Sequence, residues 1–197
     1  MNNIELIFLV EYAQDKEDYL IAKVALDCIN LIYLNSLESA FMYRERFDGI
    51  ESWDVSHIKN FSDCFYHCEN MNVDLSKWDV GKGQDFDRMF SGCNNFNCDI
   101  SSWNMGKVRD MDNMFCNCKE FNQNLDAWKI STEILRKNKN IFKGCPLEKN
   151  PPIWLKEFNE AINADTGILA ILNLIEDNRD KDHKEYFKSF STQKERL

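Results

Sequence analysis

Three consecutive stretches decide the fold: WDVSHIKNFSDCFYHCENMNVDLSK (53–77), WDVGKGQDFDRMFSGCNNFNCDISS (78–102) and WNMGKVRDMDNMFCNCKEFNQNLDA (103–127). Each begins at a tryptophan, and Trp53, Trp78, Trp103 and Trp128 follow one another at intervals of 25. Counted from each Trp, an apolar residue returns at plus 2 (Val55, Val80, Met105) and at plus 8 (Phe61, Phe86, Met111). Phe65, Phe90 and Phe115 stand at plus 12, Cys68, Cys93 and Cys118 at plus 15, and Leu75, Ile100 and Leu125 at plus 22. Columns in fixed register over three units define a repeat architecture, where each unit buries its apolar side against its neighbours.

Two worn copies flank these units. WKISTEILRKNKNIFKGCPLEKNPPI begins at Trp128 and keeps Ile130, Phe142 and Cys145, with two extra residues before the Phe. Upstream, from Ile29, Leu31, Leu37 and Phe41 fill plus 2, plus 8 and plus 12, while Arg44 replaces the cysteine. Phe47 takes the plus-18 place of Met71, Phe96 and Phe121. The repeat region therefore runs over 29–153, in units 29–52, 53–77, 78–102, 103–127 and 128–153.

Within a unit, Val108, Met111, Met114, Phe115 and Cys118 follow a helical rhythm, which predicts a short helix in the middle. Around each Trp, as in LSKWDV, apolar and polar residues alternate, which predicts a short strand. Strand plus helix at this period predicts an α/β solenoid of the leucine-rich-repeat kind, with like strands pairing in parallel. Residues 1–28 are expected to cap it as a strand, IELIFLVEY, and a helix, DKEDYLIAKVALDC, presenting Leu20, Val24 and Ala25. Residues 154–197 are expected to form a helical cap from WLKEFNEAINA, GILAILNLIEDN and DHKEYFKSFSTQ.

The residues WDVS, DFDRMFSGCNNFN, NQNLDAW and IFKGCPLEKNPPIW carry a resemblance to the BspA-like leucine-rich-repeat family of mycoplasma and other bacterial surface lipoproteins. It covers about 29–154. The resemblance implies a leucine-rich-repeat-like fold with no catalytic role, in proteins that include adhesins and surface antigens. This chain departs from that pattern at its start, MNNIELIFLV, which has no basic leader and no lipobox cysteine. The expected location is therefore cytoplasmic, with no membrane span.

The chain has 197 residues and a formal net charge of −9, mildly acidic along its whole length. This argues against direct binding of nucleic-acid phosphates, which needs clustered Lys and Arg. It suits a partner that is itself basic. Of the 8 cysteines, Cys68, Cys93, Cys118 and Cys145 form one column and read as small buried apolar residues. With no export signal they are expected to be thiols, and pairing between neighbouring units would need oxidation. CFYHC (Cys64, His67, Cys68) and CNC (Cys116, Cys118) are the only cues to a metal, too few and too unevenly spaced for zinc. No metal or cofactor is expected.

The Trp column, Trp53, Trp78, Trp103 and Trp128, reads as a core ladder beside Phe65, Phe90 and Phe115. The polar residues flanking it, Ser52, Asp54, Lys77, Asp79, Ser102, Asn104 and Lys129, would project from one open strand face and form the candidate partner-binding row. The 3 histidines, His57, His67 and His183, do not recur in the repeat, and no phosphate loop or nucleophile elbow is present. Asp85, Asp87, Asp110 and Asp112 recur by repetition at expected helix starts. The chain thus reads as a non-enzymatic protein-interaction module. Two alternatives stay open: an acidic inhibitor of a basic, nucleic-acid-handling protein, as in phage or bacterial conflict, and a surface adhesin.

Overall fold

In a computed structural model, the described backbone covers residues 2–14, 31–47 and 49–164. The chain divides into two compact units, Met1–Leu155 and Lys156–Leu197. The expected helices at 15–28, 167–178 and 182–193 lie outside the described residues. Residues 153–164 are helical, the segment expected to open the C-terminal cap.

The strand–helix unit is not what these sequences build. In 53–127 there is no helix, and the pairing between units is limited to isolated parallel bridges, Ser36 to Asn60, Asn60 to Asp85 and Asp85 to Asp110. Each unit is a coil of overlapping turns. Cys64 N–H donates to Phe61 O, Tyr66 N–H to Asp63 O and Cys68 N–H to Phe65 O, at 3.0–3.2 Å. The alternate donors point out of the unit to the next one. Phe61, Asp63, Phe65 and His67 N–H donate to the carbonyls of Asp85, Asp87, Met89 and Ser91, at 2.8–2.9 Å. An α-helix needs every N–H directed four residues back, so this division of donors excludes it.

The apolar rhythm that predicts a helix is real, because a turn also brings residues three apart together. The backbone differs: Asp63, Arg88 and Asn113 at plus 10, and His67, Gly92 and Asn117 at plus 14, take left-handed φ values between 52° and 79°. Such conformations cost side-chain-bearing residues about 1–3 kcal/mol each. The ladder bonds to the next unit, about 0.5–1.5 kcal/mol each net, offset that cost. The alternation around each Trp is also real, but no strand forms there. The N–H groups of Ser56, Gly81 and Gly106 bond to the side-chain oxygens of Asp54, Asp79 and Asn104, 2.9–3.0 Å, instead of to a neighbouring strand.

What holds the coils together is side-chain stacking. Phe41, Phe65, Phe90, Phe115 and Phe142 form one file, with centroids 5.3–5.7 Å apart and planes within 20°. Phe96 and Phe121 stack beside it, 4.0 Å from Phe90 and 4.2 Å from Phe115 respectively. Burying a Phe of this kind contributes about 1.5–3 kcal/mol. The indoles of Trp53, Trp78, Trp103 and Trp128 lie inside as well, and that of Trp154 is half-buried. Trp78, Trp103, Trp128 and Trp154 donate Nε1–H to the carbonyls of Ile50, Leu75, Ile100 and Leu125, 2.8–3.2 Å.

The N-terminal IELIFLVEY is helix, not strand: α1 spans Asn3–Gln14. Asn2 and Glu5 form a reciprocal capping box, Glu5 N–H to Asn2 Oδ1 and Asn2 N–H to Glu5 Oε2, both 2.9 Å. Leu6 and Val10, four apart, are buried. The fifth unit carries a true helix, α2, Thr132–Lys137, N-capped by the Ser131 hydroxyl. Its extra length is where the two additional residues of that unit go.

Candidate functional site

The cysteine column is built into the coil. The thiols of Cys68, Cys93 and Cys118 donate to the carbonyls of Phe41, Phe65 and Phe90, 2.8–2.9 Å, and that of Cys145 to Phe121 O, 3.3 Å. Phe65 O and Phe90 O each also accept the Cys N–H of their own unit, so each serves as a two-way tie. Cysteine suits the position because it is small and apolar and carries one weak donor. Burial pushes the Cys68 thiol up to about 12 and that of Cys145 to about 11, and raises Cys64, Cys93 and Cys118 strongly. These sulfurs are neutral and shielded at physiological pH, a poor basis for nucleophilic chemistry.

The metal cue dissolves for a geometric reason. Cys64 and Cys68 are turned into the core, whereas His67 is exposed and stacks on Tyr43, centroids 5.6 Å apart. Among the described residues no group of three or more His, Cys, Asp or Glu is placed to hold a metal ion. His57 Nε2 lies 2.8 Å from Leu31 O, tying the first coil to the second. His183 is outside the described residues.

The candidate row Ser52, Asp54, Lys77, Asp79, Ser102, Asn104 and Lys129 is exposed throughout. It does not lie on a strand face, since no sheet forms there; it follows the turn corners on either side of the buried Trp column. Asp54, Asp79 and Asn104 are engaged as turn locks. The Ser56 hydrogen bonds hold the Asp54 carboxyl below its ordinary pKa. Successive corners pack together, with the Asn104 side chain close against Gly81.

A second edge lies outside the recurring columns. It follows the left-handed positions and carries Tyr43, Tyr66, His67 and Arg88. Arg88 is held by Asp63, Nε to Oδ1 and Nη2 to Oδ2 both 2.9 Å, and by Asp87, 3.3 Å. Its guanidinium stands over the Tyr66 ring, 5.9 Å from the centroid. Burial pushes the Asp87 carboxyl up to about 6; Arg88 opposes this, while Asp110, Asp63 and Asp85 push the same way. The available signal in the sequence was departure from the repeat: at plus 13 and plus 14 the residue type changes from unit to unit.

A third exposed strip is amide-rich. Asn97 N–H bonds to Asn72 Oδ1 and Asn122 N–H to Asn97 Oδ1, 3.1–3.2 Å, and Gln123 Nε2 to Asn97 O and Oδ1. These polar groups satisfy one another across units.

A family model described as "Mycoplasma protein of unknown function, DUF285" matches residues 35–154. No curated protein and no solved structure matches the chain. Among the described residues no helix is long and apolar enough to cross a membrane.

Proposed function

This chain belongs to DUF285, a mycoplasma protein family of unknown function, and from that premise we propose that it is a non-enzymatic protein-binding module. The observation that carries the reading is a division of labour among columns. In the three central units the recurring residues at plus 2, 8, 12, 15 and 22 are all buried. The thiols of Cys68, Cys93, Cys118 and Cys145 and the indoles of Trp78, Trp103 and Trp128 are engaged with backbone carbonyls inside the stack. What reaches the surface is a rigid set of exposed edges, the kind of area on which protein partners dock.

The finer likeness to BspA-like surface proteins belongs to the same proposal and rests on the residues quoted for it. A second reading, an acidic inhibitor of a basic, nucleic-acid-handling protein, is favoured by the net charge of −9. Affinity capture from nuclease-treated host lysate tests these readings together. A stoichiometric protein retained after nuclease treatment supports the binding module, and a nucleic-acid-handling protein supports the inhibitor. Retention only on intact host cells or matrix favours the adhesive role, and the absence of any protein partner in both formats overturns the proposal.

A further inference from the structure

A repeat scaffold keeps its inward columns constant, and specificity has to come from outward columns that vary. Plus 13 reads Met42, Tyr66, Ser91, Cys116 and Lys143, and plus 14 reads Tyr43, His67, Gly92, Asn117 and Gly144. The aromatic members of both columns gather at one place, the junction of the first two coils. Tyr43 is 61% exposed; its ring lies stacked on His67 and edge-on to Tyr66, with both centroids 5.6 Å away. Tyr66 meets the imidazole edge-on at 4.4 Å. Gly92 makes room for this, because a Cβ there would stand 2.9 Å from His67 Nδ1.

The three rings are therefore fixed by one another and by the backbone beneath them, and no ring of this group is folded into the core. Ordered, exposed tyrosines lose little side-chain entropy on binding and are enriched at the energetic centres of protein interfaces. The rim sets the sign of the partner. Arg88, the cation of the patch, is neutralised by Asp63 and Asp87. Asp85 and Asp110 add further negative charge close to Asp87.

We propose that the edge formed by Tyr43, Tyr66 and His67, with its Asp63 and Asp87 rim, is the partner-contact site, and that it takes a lysine- or arginine-bearing segment of a protein. A cationic side chain is attracted to the ring faces and to the acidic rim together, whereas a phosphate or an acidic peptide is repelled by the rim. The inference rests on the protein-binding reading and adds the place and the chemistry.

The test uses the full chain and a fluorescently labelled peptide of alternating arginine and glycine, read by anisotropy. A glutamate–glycine peptide and a neutral oligosaccharide serve as comparison probes. The arginine peptide is expected to bind, with Tyr43→Ala weakening it about tenfold at an unchanged melting curve, and Tyr43→Phe binding nearly as the parent. The double variant Asp54→Asn, Asp79→Asn, at the other edge, is expected to bind as the parent does. No binding of the arginine peptide, or equal binding of either comparison probe, overturns the proposal. So does binding that Tyr43→Ala leaves untouched. If the corner double variant weakens it instead, the contact moves to the turn corners and the protein-binding reading survives, since only the capture experiment decides that reading.

Discussion

In the three central units, 53–127, each coil meets a copy of itself on both sides; the coils at 31–52 and 128–155 meet one on a single side. The central units solve their hydrogen bonding by repetition: backbone to backbone at a constant offset, thiol to carbonyl, indole to carbonyl. The terminal coils solve it with individual side chains. Arg44 stands where a cysteine would, and pairs with Glu11 of α1. Asn138, which is buried, offers Oδ1 to Met111 N–H at 2.7 Å, because the longer fifth unit has displaced the carbonyl that would accept it. At the far end Glu148 Oε2 accepts Gly144 N–H at 2.8 Å, a donor that in the central units goes to the following coil. Repetition conserves the inside, and the ends show what each lost neighbour had supplied.

The largest effect expected from breaking this comparison is Cys93→Asp. It places a carboxylate in a fully buried column between two neighbours and should cost about 3–5 kcal/mol. Cys145→Asp, which has a coil on one side only, should cost less; denaturant unfolding of both variants checks the order. Next comes Asn138→Ala. It leaves a buried Met111 N–H without an acceptor and should cost about 1–3 kcal/mol, whereas Glu148→Ala, at an exposed site, should cost only a few tenths by the same logic of solvent replacement.

Gly92→Ala is expected to destabilise by about 1–2 kcal/mol, because φ is +79° there and the new Cβ meets the His67 ring. Adding His67→Ala should recover the part due to the clash and leave the backbone part, which separates the two causes in a double-mutant cycle. The last expected effect concerns pH. The folded state holds Asp87 protonated up to about 6, against an ordinary 3.8. Its ionisation therefore lowers stability as pH rises from about 4 to about 6, and the penalty stays at higher pH. Asp87→Asn should melt above the parent at pH 7.5 and level with it near pH 4; an equal gain at both would place the origin of the stabilisation elsewhere.

Much of the scaffold is visible in the letters. The spacing of Trp53, Trp78 and Trp103 sets the period, and the same residues hold the same places in successive coils. The secondary structure departs from the expected helix for a specific reason. Val108, Met111, Met114, Phe115 and Cys118 satisfy a helical rhythm, but turns repeat with nearly the same spacing. The discriminating signal sat in the polar columns between them. Asp63, Arg88 and Asn113, then His67, Gly92 and Asn117, include residue types that tolerate left-handed φ, and such a run argues against a helix. At the N-terminus, Asn2 and Glu5 three apart announce a capping box that outweighs the strand-like apolar run after them.

Alternation around Trp78 predicts a paired strand for the candidate row, but among the described residues no sheet forms there. Asp79 and Asn104 instead close local turns with their own side chains. The aromatic edge is legible only as a departure from the repeat at plus 13 and plus 14. Tyr66 stands in the first of these columns and Tyr43 and His67 in the second, in two different units, and only the stacking of one coil on the next brings them together.

The sequence by itself determined the period and the inward columns, because each depends on residue type at fixed spacing. The tertiary structure alone decided where each backbone donor goes. A turn and a helix share their side-chain spacing and differ in whether a hydrogen bond closes within the unit or reaches the next one, and that choice exists only once the neighbouring coil is in place.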